Sequence, residues 1–227
     1  MSSQDAFSVL HYLIAEGPKD SEEATKLPPL GDLAKKLGVS RGKLREDLIT
    51  AQAYGLVEMR PGDGTYIQPF DFYTAIRPAV LYSIACDKCN FDRFYRVRAQ
   101  LELAFWDQAV SLLEQSDIDA LKQILARAEQ RLSDAPIEIP HREHRELHLR
   151  IFDRLDNPFV IGLLEAYWDA YEAVELHRYF DLSYYEEMWS SHRQIVEALE
   201  ARDNVRGRAI LMEHFRILEY RLQQGGS

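Results

Sequence analysis

The stretch "LGVSRGKLREDL", Leu37–Leu48, decides how the N-terminal part of this chain folds. The glycine and valine suit a tight turn, and Ser40 suits the residue that caps a helix N-terminus. Three cations, Arg41, Lys43 and Arg45, follow within the first turns of the predicted helix. The pattern therefore predicts a helix, a turn and a second helix whose N-terminal end is strongly basic.

The surrounding segments complete a larger motif. Amphipathic helical stretches precede it at Phe7–Gly17 and Leu30–Gly38, and each ends at a glycine. After it, the short extended runs "LVEMR" and "TYIQ" are joined by "PGDG", which suits a hairpin turn. We therefore predict a winged helix-turn-helix domain at residues 1–70, with a small two-stranded wing that closes near Pro69.

The rest of the chain has helical periodicity. Seven apolar stripes recur between Ile76 and Leu222, separated by turn residues such as Asn157-Pro158. We assign residues 71–90 to a linker and first helix, and residues 91–227 to an all-helical domain. The predicted fold class is therefore mainly α, with an N-terminal winged helix-turn-helix and a C-terminal antiparallel helical bundle.

Charge is unevenly distributed over this chain of net charge -10. Leu33–Arg60 carries six Lys/Arg against three Asp/Glu, whereas the part from Asp71 onward carries 19 against 27. Phosphate attraction needs only local positive charge, so the pattern indicates a double-stranded DNA partner.

Sequence features also indicate a location. The chain has no long apolar run and no secretory signal at its start, so we expect no membrane association and a cytoplasmic protein. The two cysteines, Cys86 and Cys89, are then expected to be reduced thiols.

The basic helix start supplies candidate DNA contacts. Arginine grips guanine with two hydrogen bonds, lysine and serine bind phosphates, and glycine allows close approach. The wing brings one more cation close to a minor groove. The candidate residues are Ser40, Arg41, Gly42, Lys43, Arg45 and Arg60. The alternative is an ordinary solvated helix face.

Four histidines fall on predicted inward stripes of three helices: His144, His148, His192 and His214. The first two are spaced i, i+4 and therefore share one helix face. Burying several imidazoles is costly unless something coordinates or hydrogen-bonds them, and a divalent metal satisfies them together. The alternative is that each is a core residue with its own hydrogen bonds.

Other side chains near these stripes are less certain members of a site. His141 shares a face with His144 but is expected to be exposed, and His177 is the nearest substitute for one of the four. Tyr95 and the aromatic residues around Trp168 would either line a cavity or form plain core.

The segment Leu27–Ile67 resembles the DNA-binding domain of the GntR family of bacterial transcription regulators. The resemblance is carried by leucine-glycine-valine-serine-arginine, the following leucine-arginine-glutamate and the glycine-rich wing. It implies DNA contacts from Ser40, Arg41 and Arg45. The chain departs from the family at Gly31, close to where an arginine usually contacts DNA.

Arg98–His214 resembles the all-helical effector domain (FCD domain) of the FadR-type branch of that family. The family's arginine-x-x-leucine-glutamate corresponds to Arg98, Leu101 and Glu102, and its metal-binding members use an aspartate and three histidines. Here His144 replaces the aspartate. The resemblance implies a divalent metal, zinc or nickel, a small organic-acid effector, and an Arg98 contact to the effector carboxylate. The alternative for Arg98 is a salt bridge to Glu102.

The predicted function is a ligand-responsive transcription regulator that binds operator DNA as a homodimer; repression is the family's common arrangement. We expect no enzymatic activity, since no general base accompanies the metal candidates and no HExxH-type motif occurs. The alternative is an effector-independent DNA-binding protein with a metal-free helical dimerisation domain.

Overall fold

A winged helix-turn-helix forms the first part of the chain, and a helical bundle forms the second. The computed structural model describes residues 8–17, 24–174 and 182–225, and the chain separates into two units, Met1–Pro78 and Ala79–Ser227. The predicted fold class is confirmed. Among the helices of the described ranges, none is both long and apolar enough to cross a membrane.

The first unit is built from three helices and a small sheet: α1 (Ser8–Glu16), β1 (Thr25–Lys26), α2 (Leu30–Leu37), α3 (Arg41–Ala53), β2 (Val57–Arg60) and β3 (Gly64–Ile67). Gly38 ends α2 in the left-handed conformation, with φ of 69°, and Ser40 caps α3. This glycine permits the sharp turn between the two helices. A core that includes Leu33, Leu44 and Leu48 holds the helices to the sheet.

The sheet has one strand more than the sequence predicted. Its order is β1-β3-β2, all antiparallel, and Ile67 pairs with both Thr25 and Val57. The extra strand is only two residues long, which is too short to show an alternating apolar pattern. It covers one edge of the wing hairpin.

The seven predicted helical stripes correspond to α4 (Phe72–Cys86), α5 (Cys89–Ser111), α6 (Gln115–Ser133), α7 (His141–Phe152), α8 (Pro158–Ala173), α9 (Leu182–Glu200) and α10 (Asn204–Gly225). Asn157 caps α8 through its side chain, directly before the proline at the helix start. Helices α5 to α10 pack around one apolar core. The free thiols of Cys86 and Cys89 are exposed.

Helices α5 and α10 are fixed to each other at two points. The indole Nε1 of Trp106 donates to the Asn204 carbonyl at 2.9 Å, and the Tyr95 hydroxyl donates to the Phe215 carbonyl. A Cβ atom at Gly207 would lie 2.7 Å from the Trp106 ring, so glycine permits the close approach there. These contacts hold α10, the helix that carries His214, against α5.

Helices α6 and α7 are joined by ion pairs at their buried edge. Asp117 accepts from Arg154 at 2.5 Å and from Arg150 at 2.9 Å, and it also closes the capping box of α6. Glu143 on α7 accepts from Arg131 on α6 at 3.0 Å. The position of α7, which carries two of the four histidines, is thereby set.

Candidate metal centre and nucleic-acid interface

The four predicted histidines meet in the helical unit. His144 and His148 come from α7, His192 from α9 and His214 from α10, and all four are buried. One nitrogen of each ring lies within 4.8 Å of a nitrogen of every other. The structure therefore brings together four imidazoles that lie up to 70 residues apart in the sequence.

A chain of hydrogen bonds fixes one of these rings. His148 Nδ1 lies 2.9 Å from Glu102 Oε2, and Arg98 Nε donates to Glu102 Oε1 at 2.6 Å. A carboxylate only accepts, so His148 Nδ1 carries the proton and its Nε2 presents a lone pair. That Nε2 lies 3.1 Å from His192 Nε2, at the middle of the cluster.

Four other imidazole nitrogens lack the partners that a packed core normally supplies. Both ring nitrogens of His144 are buried without a hydrogen-bond partner among the described groups, as is Nδ1 of His192 and of His214. Buried polar atoms are rarely left in this state, because each costs about 1–3 kcal/mol. The observation favours a ligand over four self-sufficient core histidines.

The residues fit a divalent metal. Imidazole nitrogens bind zinc and nickel, and a zinc–nitrogen bond of about 2.0–2.1 Å requires only a modest contraction of this cluster. The Glu102 contact to His148 has the form of the carboxylate that commonly orients a metal-bound histidine from outside. His144, His148, His192 and His214 would hold the ion.

Burial dominates the protonation of this cluster. It lowers the pKa of His144, His192 and His214 well below the ordinary value of 6.5, and neighbouring imidazoles and Arg98 lower it further. Burial also lowers the pKa of His148, although Glu102 opposes the shift. Neutral imidazoles are the form that binds a metal.

Arg98 forms the salt bridge to Glu102 that the sequence offered as the alternative to an effector contact. Its guanidinium forms the buried ion pair with Glu102 and lies 4.4 and 4.6 Å from the ring centroids of Tyr167 and Trp168. No described group forms a hydrogen bond with its Nη2 atom. The guanidinium is nevertheless close enough to the Tyr167 hydroxyl to oppose the rise in pKa that burial causes there. The contact to Glu102 uses Arg98 Nε and therefore does not engage every donor of the guanidinium.

Aromatic side chains surround the histidines. The ring of Trp168, which the sequence had singled out, lies 4.6 Å from the His144 ring between centroids, and the ring of Trp189, which it had not, lies 6.1 Å from it. His141 is half-buried, which corrects the expectation that it is exposed, because its ring packs near Tyr171 and Tyr185. His177, which the sequence offered as a substitute for one of the four histidines, lies outside the described residues.

The candidate DNA contacts surround the N-terminal end of α3. The Ser40 Oγ accepts from the Lys43 backbone N–H at 3.1 Å, and the Lys43 ammonium pairs with Asp47. Arg41 is exposed, and its guanidinium lies over α2, where a Cβ atom at Gly31 would be 2.9 Å away. Gly31 thus provides the space that this arginine occupies.

The wing faces the same helix across a groove. Arg45 of α3 and Arg60 of β2 both line this groove, whose volume is about 740 Å³. Arg60 pairs with Glu58 at 2.7 Å and stacks over the Tyr66 ring at 4.2 Å. Gly42 is exposed at the start of α3, where an added Cβ atom would meet only the Ser40 Oγ within 4 Å, at 3.9 Å.

The buried histidines predict an acid-sensitive stability. We expect the free energy of unfolding of the metal-free protein to fall as the pH decreases below 6.5, since unfolded histidines take up protons that the buried ones do not. Each extra proton bound by the unfolded chain contributes about 1.4 kcal/mol per pH unit. Chemical denaturation at a series of pH values measures the slope.

Glu102 acts in a different pH range. Burial would raise its pKa, but Arg98 and His148 outweigh burial and lower it to about 2, so its stabilisation is lost only below its ordinary value of 4.5. Between about pH 6.5 and 5, replacing His144 by leucine should therefore reduce the slope, whereas replacing the exposed His11 should not. An unchanged slope in the His144→Leu variant would contradict the conclusion that burial lowers the pKa of His144.

Two family models match this chain. Residues 13–67 match the gntR family of bacterial regulatory proteins, and residues 93–217 match the FCD domain. The second match covers more than half of the chain and contains all four histidines. Together they confirm the resemblances seen in the sequence.

Known transcription regulators are similar to this chain over most of its length. The Uxu operon transcriptional regulator of Escherichia coli is 26% identical over 224 residues, which cover 96% of this chain and 86% of that protein. The transcriptional regulator LutR of Bacillus subtilis is 23% identical over 86% of this chain and 90% of its own length. A Streptococcus agalactiae GntR structure shares the fold, with a TM-score of 0.67 and 20% identity over 95% of this chain and 97% of its own. The chain therefore belongs to the GntR family of bacterial transcription regulators, in the FadR-type branch whose second domain is an FCD domain.

Proposed function

We propose that this regulator binds operator DNA as a homodimer and responds to a small carboxylate effector held at a divalent metal, zinc or nickel, in its helical unit. The observation that carries the proposal is the cluster of four buried imidazoles from three helices, with nitrogens that lack partners. Members of this family bind DNA, often as dimers. The chemistry of the four imidazoles supports the metal, and the resemblance to the family implies the small carboxylate effector.

The effector is proposed to bind between the metal and Arg98. A metal on four imidazoles has room for an oxygen ligand if it adopts five- or six-fold coordination. Arg98 is linked to His148 of the centre through Glu102, and its Nη2 atom is buried without a hydrogen-bond partner among the described groups. A carboxylate is the group that satisfies both a cation and a guanidinium donor.

DNA recognition is proposed to use the start of α3 and the wing. The helix would lie in the major groove, with Arg41 and Arg45 against base edges and Lys43 and Ser40 near phosphates. Ser40 Oγ already accepts from the Lys43 backbone N–H, and its O–H group remains able to donate to a phosphate oxygen. Gly42 would allow close approach, and Arg60 would lie near a minor groove.

Control of DNA binding follows from the relative affinity of the effector for two arrangements of the protein. A ligand shifts such an equilibrium only by its difference in affinity for the free and the DNA-bound arrangements. If the effector favours the free arrangement, the protein is a repressor that the effector releases. A packed core that binds no metal would instead make DNA binding indifferent to chelators.

Replacing Arg41 tests the DNA interface. Arg41→Ala should weaken operator binding by about 1–3 kcal/mol and relax specificity at one base pair. Arg41→Lys is the matched control, because it keeps the charge and removes the two-pronged guanine contact. It should retain non-specific binding and its salt dependence while losing specificity, measured by fluorescence anisotropy on operator and scrambled DNA.

The recognition helix would be misplaced if Arg41→Ala bound the operator with unchanged affinity. An equal loss on operator and scrambled DNA would instead assign this arginine to the phosphate backbone.

Replacing His148 tests the metal centre. His148→Ala should lose most of the bound zinc or nickel and the rise in melting temperature that the metal produces, because only a folded site binds it. Metal content after dialysis, measured by mass spectrometry, gives the result directly. His11→Ala is the control, since His11 is exposed in the other unit. Unchanged metal content in His148→Ala would exclude this residue as a ligand.

A further inference from the structure

The charged groups buried beside the histidines cancel one another. Arg98 and Glu102 are 2% and 0% exposed and form an ion pair with an Nε–Oε1 distance of 2.6 Å. Four neutral imidazoles add no charge. Before a metal binds, the buried part of the site is therefore neutral overall.

The other buried carboxylates of the described residues are already paired. Asp117 is held by Arg150 and Arg154, and Glu143 by Arg131. Both carboxylates lie where α6 and α7 pack together. Within the described ranges, no fully buried carboxylate is left to neutralise a cation among the histidines.

A divalent metal in this centre would therefore carry two uncompensated positive charges in a region closed to solvent. Charge buried in this way is costly unless an opposite charge accompanies it. An aspartate ligand would supply one negative charge, but His144 occupies a ligand position with a neutral side chain. The missing negative charge has to arrive with the ligand.

Hydrogen-bond donors next to the centre lack acceptors. The hydroxyls of Tyr171 and Tyr185 and the indole N–H groups of Trp168 and Trp189 are buried without a hydrogen-bond partner among the described groups. Between ring centroids, Tyr171 lies 5.9 Å from His144, and Tyr171 and Tyr185 lie 6.1 and 6.0 Å from His141. An indole N–H can only donate, so a ligand here has to present oxygen acceptors.

We propose that the effector of this chain is a small dicarboxylate. One carboxylate would bind at the metal and Arg98, and the second would accept from the tyrosine and tryptophan donors of α8 and α9. This inference rests on the proposed function, because it needs the metal centre. It goes further by assigning the charge of the effector and a second polar subsite.

A ligand has to supply both the negative charge that a bound metal would need and acceptors for the unpartnered tyrosine and tryptophan donors. Other anions supply only one of these. Hydroxide or chloride on the metal supplies negative charge but does not reach several separate donors. A monocarboxylate supplies one charge and leaves Tyr171 and Tyr185 without acceptors. A dicarboxylate provides both charges and acceptors at both ends.

The test compares acids of equal chain length on the full-length protein loaded with zinc. Calorimetry at fixed pH and ionic strength measures the affinity for malonate, succinate and glutarate against propionate, butyrate and pentanoate. We expect at least one dicarboxylate to bind about ten-fold or more tightly than its matched monocarboxylate. Zinc content after each titration shows that the acid has not removed the metal.

Two variants separate charge from hydrogen bonding. His144→Asp adds one negative charge at the metal, so the preference for the dicarboxylate should fall several-fold while zinc is retained. Tyr185→Phe should weaken the dicarboxylate several-fold, with little effect on the monocarboxylate or on zinc content. Either variant supports the inference if the other fails to fold.

The outcomes distinguish the two proposals. If zinc does not bind, the proposed metal centre is wrong and the dicarboxylate inference is wrong with it. If zinc binds but no dicarboxylate binds, or a monocarboxylate binds equally well, only the inference is overturned. An unchanged preference in both folded variants would also overturn it.

Discussion

The Glu102 carboxylate connects Arg98 to the four histidines of the candidate site. One oxygen accepts from Arg98 Nε at 2.6 Å, and the other contacts His148 Nδ1 at 2.9 Å, with no part of the carboxylate exposed. The first contact holds a buried guanidinium in place, and the second turns the His148 lone pair toward the other histidines. Loss of this carboxylate would leave a buried cation unpaired and the His148 tautomer undefined.

The helices of the bundle supply these side chains and fix their positions. α5 supplies Arg98 and Glu102, α7 supplies two imidazoles, and α9 and α10 supply one each. Trp106 and Tyr95 fix α10 against α5, and the ion pairs of Asp117 fix α7 against α6. An ion held by the four imidazoles would be bound by α7, α9 and α10, and an effector that also reached Arg98 would contact α5 as well. We propose that a change in the spacing of these helices alters DNA binding.

Much of this could be predicted from the sequence, because the informative residues follow local rules. The His144/His148 spacing and the apolar stripes through His192 and His214 placed four imidazoles inward, and the turn before Arg41 indicated the DNA-binding helix. The role of Glu102 as a bridge could not be predicted, since it depends on a contact between residues 46 apart. His141 was expected to be exposed because it begins a helix, yet its ring packs near Tyr171 and Tyr185. The two-residue strand β1 is too short to leave a pattern.

We propose that the histidine centre controls the DNA-binding unit. A footprinting titration on the DNA upstream of the protein's own gene, at fixed salt, with metal-loaded and chelator-treated protein tests this coupling. We expect a protected palindromic site whose half-saturation concentration changes when the metal is removed. Identical protection in both states would contradict the coupling, and an absence of protection at every concentration would contradict the assignment of α3 as a recognition helix.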